Sequence, residues 1–233
     1  QKLRHYVSKR RQSNRFKLRT SNVICYGFEA QTDLIGFYGG PEYDEFEASL
    51  NYLDSKKHEF ENALDIGANI GITAFYLSSK YKKVYSFEPH PITFKILKLN
   101  ADLSLKKNII PIQLALSDKN NQVEIIDWNP HHSGQSTIIM KDSQIKKYED
   151  KNFKSKKFKV PCETVDDYVK KNIKGRISLI KLDVEGYERN VLIGAKNTIQ
   201  KFNPPIIYED WFTNKGKDSD LKRIIKFAKS KLK

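Results

Sequence analysis

From residue 61 onward, short apolar runs alternate with stripes of helical spacing. Ala63-Leu64-Asp65-Ile66 is predicted to form a strand that runs into a glycine-rich turn, and Ile72, Phe75 and Tyr76 mark the helix after it. Val84 to Glu88 gives a second strand. Pro91 suits the first turn of the next helix, whose predicted stripe is Ile92, Ile96, Leu99 and Leu103. Ile109 to Leu116 is predicted to be a third strand. Gln122 to Trp128 and Gln135 to Met140 are predicted to pair as an inserted hairpin, and residues 141–157 to form a lysine-rich loop. Val165 to Val169 gives a short helix, Ile177 to Asp183 a fourth strand, and Val191, Leu192, Ala195 and Ile199 one further helix. Pro205 to Asp210 is a fifth strand, and Leu221, Ile224, Ile225, Ala228 and Leu232 form a final amphipathic helix.

Strands alternating with helices of this length imply βαβ units and a mostly parallel sheet, hence an α/β fold. Ahead of this region, Val23 to Tyr26 and Leu34 to Tyr38 read as a pair of strands, and Phe46, Leu50 and Leu53 as one face of a helix. Residues 1–20 lack apolar periodicity and are expected to be a basic N-terminal extension. Residues 21–233 then make a single domain with its core at 61–212.

Composition narrows the function. The 233 residues suffice for one domain with a substantial core. No stretch is apolar enough to span a bilayer, and the N-terminus has no signal-like core, so a cytoplasmic location is expected. The chain starts at Gln1 instead of Met, as expected for a processed product or a part of a longer polypeptide. The formal charge is +14, carried mainly by scattered lysines, with arginines gathered at Arg4, Arg10, Arg11, Arg15 and Arg19. That balance keeps an acidic partner such as nucleic acid open without favouring it. Two cysteines, Cys25 and Cys162, can supply neither a zinc site nor a disulfide framework.

The first strand ends in Asp65-Ile66-Gly67-Ala68-Asn69-Ile70-Gly71, at the edge where open α/β sheets bind ligands. Glu88 ends the second strand 21 residues after Gly67, where a carboxylate can accept hydrogen bonds from the ribose hydroxyls of an adenosine. A dinucleotide site would have a second glycine where Asn69 stands, and Asp65 would repel a pyrophosphate. A carboxylate there suits a cofactor carrying an ammonium and a sulfonium, which points to S-adenosylmethionine.

These pieces, with Phe87-Glu88-Pro89, Ala115-Leu116-Ser117-Asp118 and Lys181-Leu182-Asp183-Val184-Glu185-Gly186-Tyr187-Glu188, resemble the FkbM-type methyltransferases. The resemblance spans residues 65–188 and extends weakly from Tyr43 to Asp210. It implies a Rossmann-like fold and methyl transfer to an oxygen of a sugar, glycan or other small hydroxyl acceptor. Carried onto this chain, it implies that Asp65, Gly67, Ala68, Asn69 and Gly71 shape the methionine pocket, that Glu88 with Pro89 holds the ribose, and that Ser117 lies near the adenine. Tyr43 and Glu45 match an aromatic-acidic pair expected to close over the cofactor. Such folds usually finish with a strand hairpin after the last helix, and this chain stops at Lys233 before one.

A hydroxyl acceptor needs its proton removed before it attacks the methyl carbon. Asp183, at the end of the fourth strand, is the first candidate. Glu209 and Asp210, at the end of the fifth, are expected to face the same cleft. His132, in the turn Trp128-Asn129-Pro130-His131-His132-Ser133-Gly134, has a side chain suited to base work near neutral pH. Asp183, Glu209 and Asp210 could also offer oxygen ligands to a divalent metal, though no complete ligand set is visible and none is assigned. Two other functions stay open on the same residues: RNA ribose methylation, motivated by the charge, and a non-catalytic scaffold of methyltransferase fold.

Overall fold

A computed structural model describes residues 15–17, 22–24, 50–127 and 155–208. Its centre is a five-stranded, wholly parallel sheet: β3 (Asn62–Ile66), β4 (Lys83–Phe87), β5 (Ile109–Ile112), β9 (Ile177–Leu182) and β10 (Ile206–Tyr208). The spatial order is β10-β9-β3-β4-β5. The chain winds outward from β3 through β4 to β5. It then returns to β9 on the other side of β3 and continues to β10. Strand order therefore reverses between β3 and β9, and in open α/β sheets the crevice outside the carboxyl ends of the strands at such a switch point is where ligands bind. This is a Rossmann-like arrangement.

The central strands are buried on both faces, so their sequences read as continuous apolar runs. Ala63, Val84 and Leu179 face one core layer with α1 (residues 50–55), α2 (Ile72–Ser78) and α3 (Pro91–Leu103). Leu64, Ile66, Tyr85, Phe87, Ile180 and Leu182 face the other, covered by α4 (Val165–Asn172), α5 (Glu188–Gly194) and α6 (Lys196–Phe202). The helix ends follow their sequences. Thr164 caps α4 by accepting from Asp167 N at 3.1 Å, with Asp166 and Asp167 in the first turn and Lys170 and Lys171 in the last. Asn203 ends α6 in the left-handed region, ahead of Pro204 and Pro205.

Several expectations are corrected. The predicted third strand is two. Leu114 N bonds Ile112 O, which turns the chain after β5, and Ala115–Ser117 leaves as β6 for a second sheet. That sheet has the order β6-β8-β7, with β7 (Asn121–Asp127) antiparallel to β8 (Lys156–Thr164). Among the described residues β7 pairs with β8, and the end of the lysine-rich stretch belongs to a strand. Its alternation puts Phe158, Val160 and Cys162 against Ile125 while Lys157 and Lys159 stay in water. Gln135 to Met140 lie outside the described residues.

The stripe expected on α3 is also rotated. Ile92, Leu99 and Leu103 are 43%, 50% and 50% exposed, and the buried positions are Thr93, Leu97, Asn100 and Ala101. The cause is polar: Asn100 enters the core because its amide donates to Ile70 O at 2.7 Å and satisfies the turn's backbone.

The helix expected over Val191 to Ile199 breaks at Ala195 into α5 and α6. At the break, Gly194 lies so close to the Ser117 carbonyl that a Cβ there would sit 1.9 Å from its oxygen. In the N-terminal region, Asn22–Ile24 (β2) pairs with Arg15–Lys17 (β1), a strand inside the segment expected to be an extension. Leu34 to Tyr38, Phe46 and the predicted helix at 221–232 lie outside the described residues.

Candidate cofactor site

The turn after β3 is built from residues that tolerate positive φ. Gly67 (φ 78°), Asn69 (φ 51°) and Gly71 (φ 95°) all adopt it. Gly67 is required for a further reason. A Cβ at this position would lie 1.7 Å from the Asp183 carbonyl oxygen. The turn after β3 and the loop after β9 therefore touch backbone to backbone across the switch point. Asp183 N also donates to Ile66 O at 3.0 Å, closing the seam. On the other side, Gly67 N and Ala68 N both donate to Phe87 O, which ties the turn to the end of β4.

Glu88 is buried and links these segments. Its Oε2 accepts from Asn69 N at 2.9 Å and its Oε1 from His90 N at 2.8 Å. Burial pushes its carboxyl up to about 7, against the lowering effect of those two backbone donors and of Lys181. Each oxygen retains acceptor capacity beyond its backbone bond. Pro89 follows directly, and His90 caps α3 by accepting from Thr93 N. The His90 ring meets Phe158 edge to face at 4.8 Å, which brings the second sheet up beside the end of β4.

Three charged groups stand at the switch point. Asp65 and Lys181 are direct neighbours across β3 and β9. The Lys181 ammonium lies 3.5 Å from Asp65 Oδ1 and 3.4 Å from Asp183 Oδ2, and donates to Gly67 O at 3.0 Å. Burial pushes the Asp65 carboxyl up and the Lys181 charge pulls it back. Asp183 stands at the mouth with its side chain 32% exposed. It does not cap α5, whose N-cap is Tyr187.

The loop after Asp183 is held by Glu188, which is buried and accepts from Val184 N and Gly186 N, both at 3.1 Å. Glu188→Ala is expected to leave two backbone donors without their acceptor, lowering stability by about 1–3 kcal/mol. A urea unfolding midpoint measures this, and an unchanged midpoint would show that the loop does not depend on the carboxylate.

Ser117 ends β6 at the same rim. Its hydroxyl donates to Asp118 Oδ1 at 2.8 Å and lies 3.3 Å from the Tyr187 hydroxyl, so the β6 end and the β9 loop are joined. Asn190 also donates to Asp118, and these bonds hold the Asp118 carboxyl below its ordinary range.

The structure thus gathers Asp65, Gly67, Ala68, Asn69, Gly71, Glu88, Pro89, Ser117 and Asp183 along one edge of the sheet. Tyr43, Glu45, His132, Glu209 and Asp210 lie outside the described residues. Among the described residues no group of three His, Cys, Asp or Glu side chains could hold a metal ion, and no helix is long and apolar enough to cross a membrane. Lys181 was not anticipated as a site residue. Its signal was a single lysine in Ile177-Ser178-Leu179-Ile180-Lys181-Leu182, a strand otherwise apolar enough to be central. His90 gave no signal, because an exposed histidine after proline has the same sequence.

Residues 65–231, more than half of the chain, match the model of the methyltransferase FkbM domain. The chain belongs to the FkbM methyltransferase family. It is 29% identical over 158 residues to the hexuronic acid methyltransferase AglP of Haloferax volcanii, covering 68% of this chain and 59% of that protein. It is 29% identical over 143 residues to methyltransferase 1 of Beauveria bassiana, covering 56% and 57%. It is 28% identical over 171 residues to methyltransferase sdnD of Sordaria araneosa, covering 64% and 65%. The chain therefore spans less than two thirds of each of these relatives. A crystal structure of an FkbM methyltransferase from Methylobacillus flagellatus KT superposes with a TM-score of 0.43 and 20% identity, over 67% of this chain and 35% of that one.

Proposed function

We propose that the chain is an S-adenosylmethionine-dependent O-methyltransferase acting on a hydroxyl of a sugar, glycan or similarly small acceptor. The observation that carries this reading is the pairing of the turn at 67–71 with Glu88 at the switch point, beside a surplus of carboxylates. Among the described residues Lys181 is the cation set against Asp65, Asp183 and Glu88, a field that favours a cationic ligand over a pyrophosphate. Glu88, anchored by one backbone donor on each oxygen, has the capacity to accept from two ribose hydroxyls. Gly67, Ala68, Asn69 and Gly71 would hold the methionine portion, Pro89 would border the ribose, and Ser117 would lie toward the adenine. Tyr43 and Glu45 belong to the same proposal as closing residues.

The bound cofactor would supply an activated methyl group with a good leaving group. The protein's own task is then alignment and removal of the acceptor's proton. Asp183 is assigned that proton, with Glu209 and His132 as the further groups proposed for the acceptor side. The AglP relative, whose name specifies hexuronic acid, supports a sugar acceptor.

The test is calorimetry with S-adenosylmethionine, followed by transfer of a labelled methyl group to a sugar panel that includes hexuronic acids. Micromolar binding that Glu88→Ala abolishes is the expected result. Absence of binding by folded protein would overturn the reading and favour a non-catalytic scaffold.

A further inference from the structure

The Asp65 carboxylate has the strongest sequence claim to touch the cofactor, yet it is the least accessible charge in the site. Its side chain is fully buried, neither oxygen presents surface, and the Lys181 ammonium stands 3.5 Å from Oδ1. Its neighbours across the sheet are Ser86 on β4 and Lys181 on β9. Exposure then rises outward in one line, from 0% at Asp65 to 6% at Lys181 and 32% at Asp183. The ammonium in the middle contacts both carboxylates and the Gly67 carbonyl.

We infer that Asp65 is a positioning residue, the buried counterion of Lys181, whose ammonium sets the Gly67 carbonyl and the Asp183 carboxylate at the mouth of the crevice. Lys181 connects the two loops that meet at the switch point, and Asp65 compensates its charge on the buried side. A ligand in the crevice meets Asp183 and the turn, and feels Asp65 through Lys181. This inference rests on the reading that the crevice takes S-adenosylmethionine.

The test is a double-variant cycle with two readouts. The first is S-adenosylmethionine affinity by calorimetry for wild type, Asp65→Asn, Lys181→Met and the double variant. Asp65→Asn is expected to weaken binding about tenfold or more with Lys181 present, and to cost nothing further once Lys181 is methionine. A carboxylate that touches the cofactor itself would cost the same factor in both backgrounds, and that result would overturn the inference. The second readout is the melting temperature without cofactor, where the double variant is expected to exceed Lys181→Met, because the latter strands a buried charge. Coupling in melting without coupling in affinity would make the pair purely structural and would also overturn the inference. If Lys181→Met does not fold, Lys181→Gln, which keeps a donor for Asp65, supplies the background. If wild-type protein binds no S-adenosylmethionine, the functional reading and the positioning role fall, while melting still decides whether the ion pair exists.

Discussion

Gly67→Ala is expected to lower stability by about 3–5 kcal/mol and to abolish S-adenosylmethionine binding. Two independent costs act at this position. The backbone has φ 78°, where a Cβ is strained. The added carbon would also lie 1.7 Å from the Asp183 oxygen, and that obstacle is backbone, which cannot move aside as a flexible side chain would. Relief requires the turn after β3 to separate from the loop after β9. Separation would break the Asp183 N to Ile66 O bond and draw Lys181 away from the Gly67 carbonyl. The same movement pulls the turn from Phe87 O and shifts Asn69 N away from Glu88. The substitution adds one methyl group and is felt on three strands. Urea unfolding and calorimetry check the two halves of the expectation. A variant with an unchanged midpoint would show that the turn and the loop can part freely at the switch point.

The contrast between Gly67 and Lys181 shows where the sequence was informative. The glycine turn, Glu88 at its distance along the chain, and the βα alternation are local signals. Each arises within one unit of strand, turn and helix, and the parallel strands emerged from them at nearly the expected bounds except the third, which stops at Ile112. Lys181 depends on pairing between strands more than a hundred residues apart, because its meaning comes from standing beside Asp65. The rotation of α3 has the same origin. Periodicity favoured Ile92, Ile96, Leu99 and Leu103 as the inner face, and of these Ile96 packs against the core. The need of the Ile70 carbonyl for a donor, thirty residues away in the chain, turned Asn100 inward. The pairing of β7 with β8 was not visible for the same reason: a long stretch separates the two strands, and a single sequence shows local closures more readily than distant ones. Local patterns supplied the residues of the candidate site. Long-range polar pairing, which a single sequence does not display, sets its internal electrostatics.

Glu88 predicts opposite pH dependences for binding and for stability. Burial raises its carboxyl from an ordinary 4.5 to about 7 in the free protein. Hydrogen bonds from ribose hydroxyls favour the ionised form, so the ligand must bind with loss of a proton below pH 7. S-adenosylmethionine affinity is therefore expected to rise by about tenfold from pH 6 to pH 8 and then to level off. Stability of the free protein runs the other way. The folded state holds this proton at pH values where the unfolded chain, near 4.5, has released it. That contribution is fully present below about 4.5 and is lost as pH rises through about 7. Glu88→Gln removes the titrating group, so both slopes attributable to it should vanish. Binding should also weaken strongly, because the amide nitrogen of glutamine would confront one of the backbone donors at Asn69 and His90. Calorimetry and melting over the same pH series give the two curves from one preparation. Affinity that stays flat in the wild type while stability falls would show that Glu88 titrates but does not meet the ligand. The adenosine would then have to be held elsewhere on the rim, toward Ser117 and Tyr187.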